Sequence, residues 1–363
     1  MEIDARVEAW ASLQLIPGLS ARALVALLKA FGGPAEVLAA SRASLTPLVG
    51  AELASAIAQG AAPDELSRSL AWLAEPGHAL LAWDDAAYPS ALLTIGDPPP
   101  VLHYAGKPDL LNRPALAIVG SRNATPQGRE NAEAFAAALS AAGLTIVSGL
   151  AQGIDAAAHR GGLAGAGSSV AVVGTGIDRI YPAGNKALAH RLAEEGGLLS
   201  QFTLGTPPLP GNFPRRNRVI SGLVRGVLVV EATPNSGSLI TARFAAEQGR
   251  EVFAIPGSIH SPFSKGCHRL IKDGAKLVET AQDVLEELGL APARASDRAW
   301  AGTPAPDGDA ARVLAALGHD PADVDLLAER TGLDASAIAV ALVELELAGQ
   351  VAQLPGGAFQ RVM

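Results

Sequence analysis

Short apolar runs recur between residues 80 and 290, and they constrain the fold more than any other feature of the sequence. Most are rich in Val and Ile, and they cover residues 116–119, 145–147, 170–173, 198–200, 227–230 and 252–255. Amphipathic helical segments, such as 127–142 and 239–248, lie between several of them. Buried strands that alternate with helices predict an α/β domain with a mostly parallel, doubly wound sheet.

Five of the six predicted strands are followed by a motif suited to binding a ligand. The motifs are Gly120-Ser-Arg-Asn123, Ser148–Asp155, Gly174-Thr-Gly176, Glu231–Ser238 and Pro256-Gly257. One such motif often marks only a tight turn. Because the carboxyl ends of parallel strands meet at one edge of the sheet, five of them together predict a ligand site at that edge.

An arginine cluster lies in the same region, although the whole chain has a net charge of −8. Residues 201–230 include no Asp or Glu, but they include Arg215, Arg216, Arg218 and Arg225. A guanidinium group binds phosphate in a two-pronged way that an ammonium group cannot. The cluster therefore indicates a polyanionic partner, with phosphate-bearing polymers first. The alternative is a solvated surface, or ion pairs with other domains.

The regions on either side of this basic segment have a net negative charge. Residues 201–272 hold nine Lys/Arg against three Asp/Glu (+6), whereas residues 1–75 hold five against eight (−3). Residues 1–75 have the pattern of short helices and resemble a SAM or helix-hairpin-helix domain. Such a module can hold a DNA phosphate on its turn amides. Since few basic residues lie near the turns, we expect this domain to pack or to bind protein.

The C-terminal region follows a Pro-containing linker at residues 291–308. Residues 309–363 hold three Lys/Arg against eight Asp/Glu (−5), and they predict helix, turn, helix and two short β runs, which resembles a winged helix. The second helix, residues 334–349, includes Glu344 and Glu346 but no Lys or Arg. A helix that enters a DNA groove usually brings basic residues, so we predict packing or protein interaction for this domain.

Several classes of site are disfavoured. The dinucleotide fingerprint fails at Arg179, where Gly or Ala is required, and no Walker A motif is present. Asp155 and His159 share a helix face and could act as base and orienter or hold a metal ion. We favour the interpretation that Asp155 caps its helix and that His159 is a partly buried neighbour. Cys267 has no evident partner and is interpreted as structural. We expect no metal and no cofactor.

The location of the protein is also predicted from composition. A single cysteine excludes a disulfide framework and indicates a reducing compartment. The N-terminus is acidic where a signal peptide is basic. No apolar stretch approaches the ~20 residues that span a bilayer. We therefore expect a cytoplasmic protein without membrane contact.

The central region resembles the bacterial DNA-processing protein A family, also called DprA or Smf. The matching segments are IVGSRNAT (118–125), SGLAQGIDAAAH (148–159), GTGIDRIYPAGN (174–185), FPRRNRVISGL (213–223), VVEATPNSGSLITARFAAEQGR (229–250), VFAIPG (252–257) and SKGCHRLIKDGA (264–275). They occur in order and cover most of residues 114–280. One departure is Ser200-Gln201, where the family commonly has Ser-Glu.

The resemblance implies an extended Rossmann-like domain over residues 80–290 that binds single-stranded DNA. It further implies a homodimer that protects incoming DNA and loads the RecA recombinase during natural transformation, without catalytic activity. The motifs imply DNA contacts by Ser121, Arg122, Lys186, Arg215, Arg216, Arg218 and Lys265. From the residues themselves we add Phe213, with Phe263 nearby, as a face for base stacking. Phe213 could instead pack under the sheet.

Two other functions are compatible with such a fold. One is a Rossmann-like enzyme that acts on a phosphorylated nucleoside, in which Glu231 is the candidate carboxylate. Enzymes of that kind typically carry a Pro-Gly-Gly-x-Gly-Thr segment, which is absent from this region. The other is an interaction scaffold that does not bind DNA.

Overall fold

The computed structural model describes residues 4–290, 306–318, 321–354 and 356–362. The predicted linker lies largely outside these residues. The N-terminal part is helical, as predicted, and its helices are α1 Ala5–Gln14, α2 Ala21–Phe31, α3 Pro34–Ala39, α4 Arg42–Val49, α5 Ala51–Gln59 and α6 Pro63–Leu73. Buried side chains such as Trp10, Leu27 and Ile57 hold these helices together.

The central part alternates strands and helices. The strands are β1 His78–Ala82, β2 Val101–Gly106, β3 Ala115–Val119, β4 Thr145–Ser148, β5 Ser169–Val172, β6 Gly197–Ser200, β7 Gly226–Val229, β8 Glu251–Ala254 and β9 Lys276–Leu277. The helices are α7 Pro126–Ala141, α8 Ile154–Leu163, α9 Lys186–Glu195, α10 Asn212–Gly222, α11 Ser238–Glu247, α12 Lys265–Lys272 and α13 Ala281–Glu287. Each strand predicted from an apolar run is present, with its ends shifted by at most one residue.

The strands of this part form one sheet in the order β1-β2-β6-β5-β4-β3-β7-β8-β9. All neighbours from β6 to β9 are parallel, which confirms the predicted mostly parallel α/β fold. The chain runs from β3 outward through β4, β5 and β6, and then returns to place β7 on the other side of β3. Strand order reverses at β3, and ligands of open α/β sheets bind outside the carboxyl ends of strands at such a point.

The N-terminal edge of the sheet differs from the prediction. We expected covering structure there, but β1 and β2 extend the sheet as antiparallel strands, with β2 paired to β6. Strand β2 is almost wholly buried between β1 and β6, because its apolar side chains pack on both faces of the sheet. Three prolines, Pro98-Pro-Pro100, directly precede the apolar run of β2, and they favoured the prediction of covering structure.

The C-terminal part comprises α14 Gly308–Leu317, α15 Val324–Thr331, α16 Ala335–Leu347 and the hairpin β10 Val351–Gln353 with β11 Phe359–Arg361. This is the predicted order of a winged helix. Helix α16 includes Glu344 and Glu346 and no basic side chain. Across the residues that the structure describes, no helix combines the length and the apolar character that crossing a bilayer requires.

Candidate nucleic-acid interface

A cavity of about 660 Å³ opens at the carboxyl ends of β3 and β7, where strand order reverses. We call it the strand-end cavity. Its lining comes from the strand-end loops and from α10, and includes Ser121, Arg122, Asn123, Ala151, Tyr181, Phe213, Arg216, Asn217, Thr233, Ser236, Ser238 and Phe263. A smaller cavity of about 240 Å³ adjoins it and shares Arg122, Tyr181, Phe213 and Arg216. Three of the five predicted strand-end motifs, 120–123, 148–155 and 231–238, therefore meet in this lining, whereas Gly174-Thr-Gly176 and Pro256-Gly257 lie outside it.

The loop after β3 is fixed from behind by Glu231. The Ser121 N–H donates to the Glu231 carbonyl (2.8 Å), and the carboxylate of Glu231 accepts from the N–H (3.0 Å) and the hydroxyl (2.6 Å) of Thr125. Thr125 also caps α7 by accepting from the Gly128 N–H. Burial raises the pKa of the Glu231 carboxyl, and the hydrogen bonds from Thr125 oppose that shift. The carboxylate thus holds the loop and does not line the strand-end cavity, which leaves the nucleoside-enzyme hypothesis without its candidate group.

The loop after β4 is fixed by two buried side chains. Asp155 accepts from the N–H groups of Gly149 (3.1 Å) and Ala151 (3.3 Å). This corrects our interpretation of Asp155 as a helix cap, because α8 has Gly153 at its N-cap and no side-chain cap. The carboxylate reaches back to the loop that precedes its helix. Burial raises the pKa of Asp155, whereas Arg216 and the two N–H donors lower it.

His159 completes this support. Its Nε2 accepts from the Leu150 N–H (3.3 Å), and its Nδ1 lies 2.8 Å from the Ser169 hydroxyl. Since that hydroxyl donates to the Ile146 carbonyl, Nδ1 carries the proton and the imidazole is neutral. Burial lowers the pKa of His159 to about 3, and Arg216 adds to the shift. Among the described residues, no three His, Cys, Asp or Glu side chains are grouped so that they could hold a metal ion.

Arg216 forms a buried positive charge in the wall of the cavity. Its guanidinium donates to the carbonyls of Gly149 (2.6 Å) and Val172 and, through Nε, to the Asn217 side chain (3.1 Å). Burial lowers the pKa of Arg216 to about 10, with Asp155 opposing, so the group is ionised at neutral pH. A side chain at Gly149 would place Cβ 2.6 Å from this guanidinium, so only glycine lets the two approach.

Arg122 differs from Arg216 because it is exposed. Its guanidinium lies 5.7 Å from the centre of the Phe213 ring, and no carboxylate in the described part of the chain forms an ion pair with it. The Tyr181 ring lies 5.8 Å from that of Phe213 and is half exposed. Phe213 also packs on Gly174, where a Cβ would come within 2.9 Å of the ring. An unpaired cation beside two aromatic rings suits a phosphate with adjoining bases.

The other predicted site residues lie elsewhere. Arg215 and Arg218 face away from the strand-end cavity, because they are two and five residues after Phe213 and the helical period turns them to another side of α10. Lys186 is exposed at the start of α9 and lines neither cavity. Lys265, also exposed and outside the lining, begins α12 and donates to the Ile259 carbonyl of its own loop.

The lining also includes polar groups that we did not select, namely Asn123, Asn217, Thr233, Ser236 and Ser238. Their signal was their position in strand-end motifs or beside the selected arginines. Cys267 is packed as interpreted: its Sγ lies 3.6 Å from the carbonyls of Val229 and Val230, and burial raises the pKa of the thiol to about 12.

Known proteins supply the decisive comparison. A family model described as DNA recombination-mediator protein A matches residues 79–289. A model of the DprA winged helix domain matches residues 292–357. The chain belongs to the DNA recombination-mediator protein A family. The resemblance to DprA and Smf is confirmed.

Individual members of the family support this. Protein Smf of Escherichia coli K12 is 46% identical over 303 residues, which is 80% of each chain. DNA processing protein DprA of Streptococcus pneumoniae R6 is 50% identical over 204 residues, covering 56% of this chain and 72% of that protein. The S. pneumoniae DprA crystal structure superimposes with a TM-score of 0.68 at 39% identity, covering 79% of this chain and 99% of that one.

A second solved structure of the family bears on the ligand. Helicobacter pylori DNA processing protein A, described for its single-stranded DNA binding mode, matches with a TM-score of 0.53 at 29% identity. It covers 58% of this chain and 95% of that chain.

Proposed function

We propose that this protein is a recombination mediator that binds single-stranded DNA in the strand-end cavity. The observation that carries the proposal is the combination of the unpaired Arg122 with the exposed Tyr181 ring and the Phe213 ring at the sheet's switch point. Phosphate contacts from arginine and loop amides provide affinity without reading sequence. The single-stranded DNA binding described for the H. pylori relative supports the choice of ligand.

A single strand fits these groups better than a duplex. Stacking on aromatic rings requires bases whose faces are free, and bases within a duplex are stacked on one another. The cavity lies between loops, and its described lining presents a few polar groups and three aromatic rings, not a long basic surface. We therefore expect little sequence preference and weaker binding of double-stranded DNA.

We further propose that the protein acts as a homodimer that protects incoming DNA and loads RecA onto it during natural transformation, without catalysing a reaction. These steps rest on family membership. The engagement of Glu231 by Thr125 argues against nucleotide chemistry in the cavity.

A salt-titrated binding measurement tests the proposal. We expect oligothymidylate to bind the wild-type chain, with an affinity that falls steeply as salt rises. Arg122→Ala should weaken binding by about tenfold, the loss expected for a charge-assisted contact. Arg42→Ala removes an exposed arginine of α4 outside both cavities and serves as the matched control. Binding insensitive to salt and to Arg122→Ala would contradict the proposal. Dimerisation and RecA loading are tested separately, by sedimentation and by RecA assembly on protein-coated single strands.

A further inference from the structure

A further cavity, of about 510 Å³, lies on the other side of α10, between the N-terminal helices and the sheet. We call it the rear cleft. The N-terminal helices contribute Ser20 and Arg22 from the start of α2, and the central part contributes Phe202, Arg215 and Arg218. The rear cleft thus combines residues from the two parts of the chain.

The positive charge in the rear cleft exceeds the negative charge. Asp97 also lines it, but its carboxylate pairs with Arg218 at 3.4 Å. Arg22 and Arg215 are exposed, and no carboxylate in the described ranges forms an ion pair with either of them. Burial lowers the pKa of Arg218, the Asp97 carboxylate opposes that shift, and the positive charge of Arg215 adds to it. Two arginines therefore line this space without a counter-charge, and they would attract an anion.

Arg215 is held in place for such a role. Its guanidinium lies 5.5 Å from the centre of the Phe202 ring, which is buried, so the ring supports the arginine and is itself covered. Across the cleft, α2 begins at Ala21 with Ser20 as its N-cap, and the lining includes Ser20, Ala21 and Arg22. The positive end of the helix dipole therefore adds to the charge of Arg22.

One loop lines both the rear cleft and the strand-end cavity. Thr203 and Thr206 of the segment that leads into α10 line the rear cleft, whereas Pro208 and Pro210 line the strand-end cavity. Leu209, between the two prolines, is 52% exposed. A strand that leaves the Phe213 side of α10 can thus reach Arg215 by crossing the first turn of the helix.

We propose that the rear cleft is a second subsite, in which Arg22 and Arg215 bind backbone phosphates of the same DNA strand. This gives the N-terminal helices a part in binding DNA, where the sequence favoured packing or protein binding. The inference rests on the proposed function, since the strand must first occupy the strand-end cavity.

Oligonucleotide length distinguishes the two sites. An oligothymidylate of about six nucleotides should fill only the strand-end cavity, whereas one of about thirty should reach both, judged by the site sizes of other single-strand binders. We expect Arg22→Ala and Arg215→Ala each to weaken binding of the long strand by about two- to fivefold, and the double variant more. The slope of log affinity against log salt should become shallower by about 0.7 for each phosphate that the variant no longer binds. Binding of the short strand should be unchanged, and this shows that the variants are folded.

Arg122→Ala should weaken binding of both the short and the long oligothymidylate. Arg42→Ala should weaken the binding of neither. If Arg122→Ala acts as expected but the double variant binds the long strand with wild-type affinity and salt slope, the rear cleft is not a subsite and the proposed function stands. If the wild-type chain binds neither strand, both proposals are wrong. Loss of short-strand binding in the double variant would also overturn the inference, because the two arginines would then act on the strand-end cavity itself.

Discussion

The two sides of α10 use the same kind of residue in different ways. On the side of the strand-end cavity, Arg216 is 5% exposed and donates to the Gly149 carbonyl in the loop after β4 and to the Val172 carbonyl at the end of β5. On the side of the rear cleft, Arg218 binds the Asp97 and Gln201 side chains, and Arg215 stays exposed. One run of sequence therefore supplies a structural cation, a paired cation and a free cation. Of these three arginines, only Arg215 keeps its donors free for a ligand, as Arg122 does in the strand-end cavity.

The difference shows that a cluster of charged residues in a sequence does not by itself identify the residues that bind a ligand. A buried guanidinium must satisfy its donors with protein acceptors, and those bonds fix it in place. Such a group contributes to the site through its charge and through the loops that it holds. An exposed guanidinium keeps its donors for phosphate.

Removing Arg216 should have the largest effect on the molecule. Arg216→Ala leaves the Gly149 carbonyl without its donor, and it removes the positive charge that compensates the buried Asp155 carboxylate, which keeps its two N–H donors. Leaving a buried charge uncompensated costs about 3–5 kcal/mol. We expect that loss in the free energy of unfolding, measured by urea titration. DNA binding should fall as well, since the loop after β4 is released. Wild-type stability of Arg216→Ala would show that Arg216 serves the ligand and not the loops.

Two buried histidines, His159 and His103, should make the free energy of unfolding depend on pH. Burial lowers the pKa of His159, under the strand-end cavity, to about 3, and that of His103, on β2, to about 4, from an ordinary value of 6.5. Below pH 6.5 these two imidazoles bind protons in the unfolded chain but stay neutral in the folded chain. The two groups therefore contribute full stability above pH 6.5 and lose it as the pH falls toward 4 for His103 and 3 for His159. At pH 5 each histidine should lower the free energy of unfolding by up to about 2 kcal/mol.

Unfolding curves at pH 7 and pH 5 test this. His103→Leu should flatten the pH dependence, because it removes a buried imidazole whose Nδ1 has no hydrogen-bond partner among the described residues. His159→Asn should flatten it too, with a larger loss of stability at pH 7, since the Leu150 N–H loses its acceptor. Unfolding energies that do not change between the two pH values would mean that these histidines are protonated in the fold.

Much of the fold was predictable because its signals are local. Apolar runs of the right length predicted the parallel strands, and turn motifs at their ends predicted the edge that carries the site. The antiparallel strands β1 and β2 were missed, since the short run at β2 follows three prolines and gains its partner, β6, from far along the chain. Pairing of that kind is decided by the rest of the sheet and not by the strand's own sequence.

The candidate site was predictable as a location but not as a set of contacts. Arg215, Arg216 and Arg218 are indistinguishable in the sequence, and the phase of α10 separates them. Asp155 looked like a helix cap because it lies in the first turn of α8, yet its carboxylate turns back to the preceding loop. The carbonyls and N–H groups that decide these roles come from other strands, and the sequence does not show them.

Replacing Phe213 should have a smaller effect and tests base stacking in the strand-end cavity. Phe213→Leu keeps an apolar side chain on Gly174 but removes the ring beside Arg122 and Tyr181. Stacking of a base on an aromatic ring is worth about 1–3 kcal/mol. Since Tyr181 remains, we expect the low end, about 1 kcal/mol or fivefold in affinity for the short oligothymidylate. The salt slope should not change, because the arginines that bind phosphate are all retained. A shallower slope would mean that Phe213 acts by placing Arg122.

Arg218→Ala should have the smallest effect of these substitutions. It tests whether the paired arginine of the rear cleft contributes to DNA binding. The guanidinium donates to the Asp97 carbonyl and to Gln201, and it pairs with the exposed Asp97 carboxylate, so its removal should cost less than about 1 kcal/mol of stability. Binding of the short strand should stay at the wild-type level. Binding of the long strand should weaken slightly at most, because Asp97 loses its partner and then repels phosphate in the rear cleft. Asp97→Asn in the same background should restore it. A large loss with the short strand would place Arg218 in the strand-end cavity and would remove the division between the two sides of α10.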